Sequence, residues 1–369
     1  MGRLVMQKTW LFLAMGLFAV CPATTDGARG SEWLVSSNLL GPAKLAPVWQ
    51  TTLPVRQGER LEMVRVLEDR LYVRTAENYV WSLDRRTGDI VFSRSIAPAG
   101  FPIFGWTAYD DRLITVIDNQ VVELDANTGT RRRVSNLALS IIAPPVRNSE
   151  FFYVSAADRR LHLFRAEDMV KLRMASADND SQITSVLAGE DMVVFGTDAG
   201  NLVAMATDAP RKLWQFDAPG AMAGPVVRSG SSFFFASKDT CVYRVDASEA
   251  GGSSMAWRYQ TEAILDREPR VTAAVVYQSA PGRGVTAIGR RSGKALWTLA
   301  EGVDLLAEAG NRAYVFTKFN TLVVMDNASG NQVLWVNCAD VSYYATNTND
   351  ARIYLADQGG RVLCMEPIR

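Results

Sequence analysis

Histidine is almost absent: His162 is the single one in 369 residues. A metal centre built on several imidazoles is thereby excluded. His162 stands in the alternating run "RRLHLFR", which reads as a strand position, although a Ser-His-Asp relay stays formally open. Net charge is also missing, because 39 Lys+Arg balance 39 Asp+Glu. No overall field draws the chain to nucleic acid, and none is expected as a partner. Cysteine is scarce at four residues, none adjacent to another and none in a CxxC pair. The usual redox and zinc motifs are therefore absent, and no metal site is expected. Cys338 and Cys364 could pair in an oxidising compartment, but buried thiols filling strand positions explain them as well. Cys241 stands apart from both. No apolar run reaches the roughly 20 residues that a membrane-spanning helix needs.

The longest such run, Trp10 to Val20, follows Arg3 and Lys8 and precedes small and polar residues. This is the layout of a secretory signal peptide. Residues 1–23 are read as that peptide, with cleavage after Ala23, and residues 24–45 as a linker. The mature protein is expected to be exported. Cys21 is an alternative lipid acceptor, although Phe18 and Val20 fit a lipobox poorly. Membrane association is expected only if Cys21 carries lipid.

What the chain does have is a repeated phrase. Asp84, Asp125, Arg165, Ala206, Asp246, Gly289, Asp326 and Glu366 each follow an alternating apolar run, at intervals of 41, 40, 41, 40, 43, 37 and 40 residues. Upstream of each point lies another strand-like segment, such as "RLYVRTA", "MVVFGTD" or "RAYVFTK", rich in β-branched and aromatic residues. A weaker apolar segment precedes most of these. The unit is thus four short antiparallel strands, A to D from the centre outward. About forty residues per four-stranded unit is the period of a β-propeller blade.

Turn chemistry accounts for the phrase itself. In "VVMDNASGNQVLW", Asp326 can accept hydrogen bonds from the backbone two residues on and so start the turn between strands C and D. Gly330, like Gly88, Gly129 and Gly293, is expected at positive φ. Trp214, Trp257, Trp297 and Trp335 end the fourth strand, with Phe92 standing in once. Each ring is expected to cover the neighbouring blade and its turn. Asp84, Asp125 and Asp246 are read as Asp326 is. The eighth unit reaches Arg369 with no room for a fourth strand, while "VWQTTLP" at Trp49 matches "LWQFDAP" at Trp214. Val48 to Leu53 is therefore read as the missing outer strand of the last blade. The expected fold is all-β: an eight-bladed propeller over residues 46–369, closed by an N-terminal strand.

These residues, alternating apolar positions followed by Asp, then Thr/Ser-Gly, then Trp, resemble the pyrroloquinoline-quinone-type (PQQ-like) propeller repeat over about residues 46 to 369. The resemblance implies one of two branches. In quinoprotein alcohol dehydrogenases, the quinone lies between a tryptophan floor and two adjacent cysteines, beside calcium. No adjacent cysteines exist here, and most tryptophans fall on outer strands. No cofactor and no enzymatic activity are therefore expected. The second branch is the exported propeller subunit of the outer-membrane β-barrel assembly machine, whose compact layout this chain shares. It implies a protein-interaction scaffold at the bacterial cell envelope, with envelope proteins as partners, in the periplasm or at the outer-membrane periphery. The alternative is a quinoprotein-type oxidoreductase, or a small-ligand or carbohydrate binder using the central channel or loop face.

Two surfaces stand out as candidates. "APAGFPIFGW" carries Phe101, Phe104 and Trp106, and "CADVSYYATN" carries Tyr343 and Tyr344. They are expected on loops entering blades two and eight, as one aromatic sector for protein binding. On the opposite face, Arg85, Arg86, Arg131, Arg132, Arg133, Arg290 and Arg291 occupy C–D turns, where a solvated surface is the simpler reading.

Overall fold

Eight four-stranded antiparallel sheets make up the protein, and each is hydrogen-bonded in the order A-B-C-D. The computed structural model describes residues 33–248 and 251–368. The signal-peptide reading and Cys21 lie outside the described residues. Blade 1 consists of Leu61–Leu67, Arg70–Thr75, Tyr79–Asp84 and Ile90–Ser95. Blades 2 to 7 follow in the same way, up to Gln332–Asn337.

The middle strands bury nearly every residue, as in Leu71, Tyr72 and Val73. Successive side chains leave a strand on opposite faces, and here both faces abut another blade. Leu71 and Val73 join the cluster shared with blade 8, whereas Tyr72 joins the one shared with blade 2. The core is accordingly not one mass but eight clusters, one at each junction between blades.

The eighth blade is assembled from both ends of the sequence. Tyr343–Ala345, Ile353–Ala356 and Arg361–Pro367 supply its first three strands, and Leu45–Thr52 supplies the fourth. Pairing runs from Leu45 opposite Pro367 to Thr52 opposite Arg361, with a bulge between Pro47 and Trp49. The expected closure is therefore present, starting three residues earlier than the sequence suggests. Part of the stretch read as linker also packs. Ser37–Leu40 forms one helical turn capped by Ser36, and Gly41–Ala43 continues it as a 3-10 turn. Leu34, Val35, Leu40 and Ala43 are buried in the cluster between blades 7 and 8.

Candidate interaction surfaces

The C–D turns have the expected chemistry at three points. Asp326 Oδ1 accepts from the amides of Ala328 and Ser329 at 2.9 and 2.8 Å. Asp125 and Asp84 accept in the same way from Asn127 and Thr128, and from Arg86 and Thr87. The Arg132 guanidinium, helped by those amides, holds the Asp125 carboxyl down at about 2. Gly129 adopts φ of +65°, and a Cβ there would sit 2.5 Å from the Phe92 ring of the preceding blade. Glycine is thus needed twice, for the backbone and for the ring laid over it. Gly88 sits likewise under Trp49, and Gly293 under Trp257.

The rings also lock one blade to the next by hydrogen bonding. Trp49 Nε1 donates to the Arg85 carbonyl at 3.1 Å, Trp257 Nε1 to that of Arg290 at 2.8 Å, and Trp297 Nε1 to Asn327 Oδ1 at 2.8 Å. Each acceptor lies just after the repeat point of the following blade. Two locks that were not read from the sequence use arginine instead. Arg133 lies over the Phe152 ring at 5.4 Å and donates to the Glu167 carbonyl at 2.9 Å. Arg173 donates to the carbonyls of Thr207 and Asp208. Both arginines stand eight residues after their repeat points, as Trp297 does, and that spacing was the available signal.

Two readings of the repeat are corrected. Asp246 starts no turn: it pairs with Ser254 inside a longer hairpin and is held by Arg244 at 2.9 and 3.0 Å. The extra residues before Trp257 let both strands run on. Without a tight turn beneath it, Trp214 Nε1 finds no hydrogen-bond partner among the described residues. Trp335 covers no neighbour and is 63% exposed. It lies nine residues after Asp326, so Leu334 takes the inward place, opposite Val324 as Trp297 is opposite Ala287. A one-residue offset turns a strand side chain to the other face. Strands C and D of blade 8 are not consecutive, so no C–D turn joins them, and the Leu34–Ala43 segment packs with Leu334 instead.

The predicted aromatic sector does not form as one patch. Phe104 and Trp106 lie within the innermost strand of blade 2, and Tyr343 and Tyr344 within that of blade 8. Trp106 is buried between blades 1 and 2, while Phe104 packs between blades 2 and 3. Tyr343 donates to the Leu61 carbonyl at 2.5 Å, and Tyr344 packs on Phe316 with ring centroids 4.9 Å apart. Phe101 is the one exposed ring of the five. The turn arginines are mostly engaged as well. Arg85 binds Asp350 and Tyr354, Arg132 binds Asp111 and Asp125, and Arg290 reaches the Thr272 carbonyl and Ser229.

Cys241, Cys338 and Cys364 are free, buried thiols, so the pairing of Cys338 with Cys364 does not occur. They sit in three different junction clusters, and burial pushes the Cys338 and Cys364 thiols up to about 12. With the cysteines dispersed and Trp49, Trp214, Trp257 and Trp297 on outer strands, the residues present do not fit a quinone clamp. His162 Nε2 meets the Asp158 carboxylate at 2.9 Å, and its Nδ1 has no hydrogen-bond partner among the described residues. Among the described residues, no group of three or more acidic, histidine or cysteine side chains could hold a metal ion.

A closed ring of four-stranded repeats locked blade to blade defines an eight-bladed PQQ-like propeller, a scaffold architecture. The family model described as Outer membrane protein assembly factor BamB matches residues 42–205, 205–308 and 281–367. The chain belongs to that family. Two solved structures share its fold. BamB from Moraxella catarrhalis superposes with a TM-score of 0.65 at 17% identity, covering 87% of this chain and 97% of that one. The computationally designed Ika8 protein gives a TM-score of 0.65 at 14% identity, covering 85% and 98%. No curated protein matches the sequence.

Proposed function

We propose that the protein is an exported, non-catalytic scaffold of the bacterial cell envelope that holds protein partners during outer-membrane protein assembly. Membership of the assembly-factor family along nearly the whole ring carries this reading. Dispersal of the cysteines and tryptophans among separate junctions favours a structural use of residues that a quinoprotein would gather at one centre.

The partner-facing surface we assign is the outer strand of blade 7, Gln332–Asn337. It carries no charge, and Val333 and Trp335 are exposed on it. An uncharged outer strand offers unpaired backbone groups, and an exposed tryptophan is the residue type that most often anchors interfaces. Crosslinking the mature chain in envelope extract tests the reading. Recovery of outer-membrane assembly components, reduced at least tenfold by Trp335→Ala, is expected. Dye reduction with an alcohol in the presence of quinone and calcium would refute it.

A further inference from the structure

Both flat faces of the ring carry exposed apolar side chains, but the most exposed stand on one of them. One carries the C–D turns, including the polar tips Arg86-Thr87, Asn127-Thr128 and Ala328-Ser329 and the blade 3 turn, where Val170 is 48% exposed. The other carries the B–C turns and the D–A loops, and exposed apolar side chains stand at its tips. Phe319, in the B–C turn of blade 7, is 67% exposed, and Ile264, in the loop entering blade 6, is 65% exposed. Phe101 and Ile142, on the loops entering blades 2 and 3, are exposed as well.

Phe319 does not stand alone. Lys318 Nζ lies 5.2 Å from the centre of its ring. The tip therefore presents an aromatic side chain and a flexible cation together. Such a pair suits a phospholipid surface, where the ring enters the acyl boundary while the ammonium stays among the phosphates.

The start of the described chain points the same way. The Leu34 amide donates to Gln50 Oε1, in the half of the closing strand nearer the B–C turn end, since Thr52 pairs with Arg361. Leu34 shares its cluster with Phe316 and Leu322, which flank the Phe319 turn. The described chain thus begins on the Phe319 side of the ring. Isolated apolar tips set apart on polar loops also fit a bilayer better than a protein, because protein hot spots need closely packed pockets whereas interfacial insertion does not.

We infer that the loop face, through Phe319, Lys318 and Ile264, rests on a phospholipid bilayer. This contact is independent of the scaffold reading and leaves the turn face and the outer strands free.

The test uses the chain from Trp33 onward, which contains all eight closed blades, so that the upstream apolar run cannot itself bind lipid. Phe319→Cys, Ile264→Cys and, on the opposite face, Ser329→Cys are each coupled to an environment-sensitive fluorophore. The three native thiols are buried and stay unreacted. Vesicles of phosphatidylethanolamine and phosphatidylglycerol are then added. A blue shift at 319 and 264 with none at 329 is expected. Flotation of the unlabelled F319S/I264S double variant should show about tenfold weaker vesicle binding. No change at 319, or an equal change at 329, would overturn the inference. So would a shift at 319 produced by lipid-free envelope protein, which would make this face a protein surface instead.

Discussion

Trp49 and Trp335 both lie within outer strands, although the sequence reads Trp335 as a strand end, and the structure assigns them opposite energetic roles. Trp49 is 7% exposed, lies on Gly88 and donates to the Arg85 carbonyl. Truncating a buried tryptophan to alanine costs about 3–5 kcal/mol. The Arg85 carbonyl still accepts from Tyr354 Oη and Arg352, so no orphaned acceptor adds to that figure. Unfolding entropy of about 2.1 cal/mol/K per residue gives roughly 0.7 kcal/mol/K for a ring of this size. Trp49→Ala should therefore lower Tm by ~5 °C. Trp335 is 63% exposed, so Trp335→Ala should stay within about 0.5 kcal/mol, less than 1 °C. Far-UV circular dichroism during heating reads both without relying on the fluorescence that the substitutions remove. Equal shifts, or a larger one for Trp335→Ala, would refute the account of the seam and of the one-residue offset.

Other outcomes follow from the same geometry. Gly129→Ala combines left-handed backbone with a 2.5 Å approach to Phe92 and should cost about 2 kcal/mol or more in urea unfolding. Gly58→Ala, at φ of +88° with nothing within 4 Å, should cost only the backbone part, ~1 kcal/mol. Asp125 titrates at about 2 in the folded protein, below its unfolded value near 4, so its contribution is present above about pH 4 and lost as pH falls towards 2. Asp125→Asn should flatten that part of an acid-unfolding profile, whereas an unchanged profile would deny the Arg132 contact its role. Trp335→Ala should reduce partner capture at least tenfold while leaving the melting curve in place, and the reverse pattern would make the residue structural.

The architecture was legible because each blade repeats both its period and its turn chemistry. The match of "VWQTTLP" to "LWQFDAP" sufficed to place Trp49 in the eighth blade. Reading stopped where a single residue decides. Trp335 falls one position late, and the bulge that fixes register in each outer strand has no sequence mark of its own. Asp246 looks like its counterparts, but three more residues before the tryptophan turn a tight loop into an extended ladder. Phe104, Trp106, Tyr343 and Tyr344 looked like loop aromatics because the innermost strand is irregular in blade 2 and only three residues long in blade 8. Gly105, pressed against Pro144, breaks the register between Phe104 and Thr107. Arg133 and Arg173 were hidden by chemistry rather than position, since a guanidinium stacked on phenylalanine does the work of an indole. Of the exposed tips of the loop face Phe101 was read from the sequence, whereas Phe319 and Ile264 were not, because exposure belongs to the fold and not to the residue.

The sheet that unites the two ends also sets the timing of folding. Its closing strand, among the first segments synthesised, pairs with Arg361–Pro367, among the last. Blades 1 to 7 can collapse in turn from local hairpins, but the ring stays open until Arg361–Pro367 is present. Pairing across such a separation is slow, because the loop entropy is lost before any contact offsets it. Until then the closing strand Leu45–Thr52 lacks its partner, and its unpaired edge is where chaperone shielding would matter most.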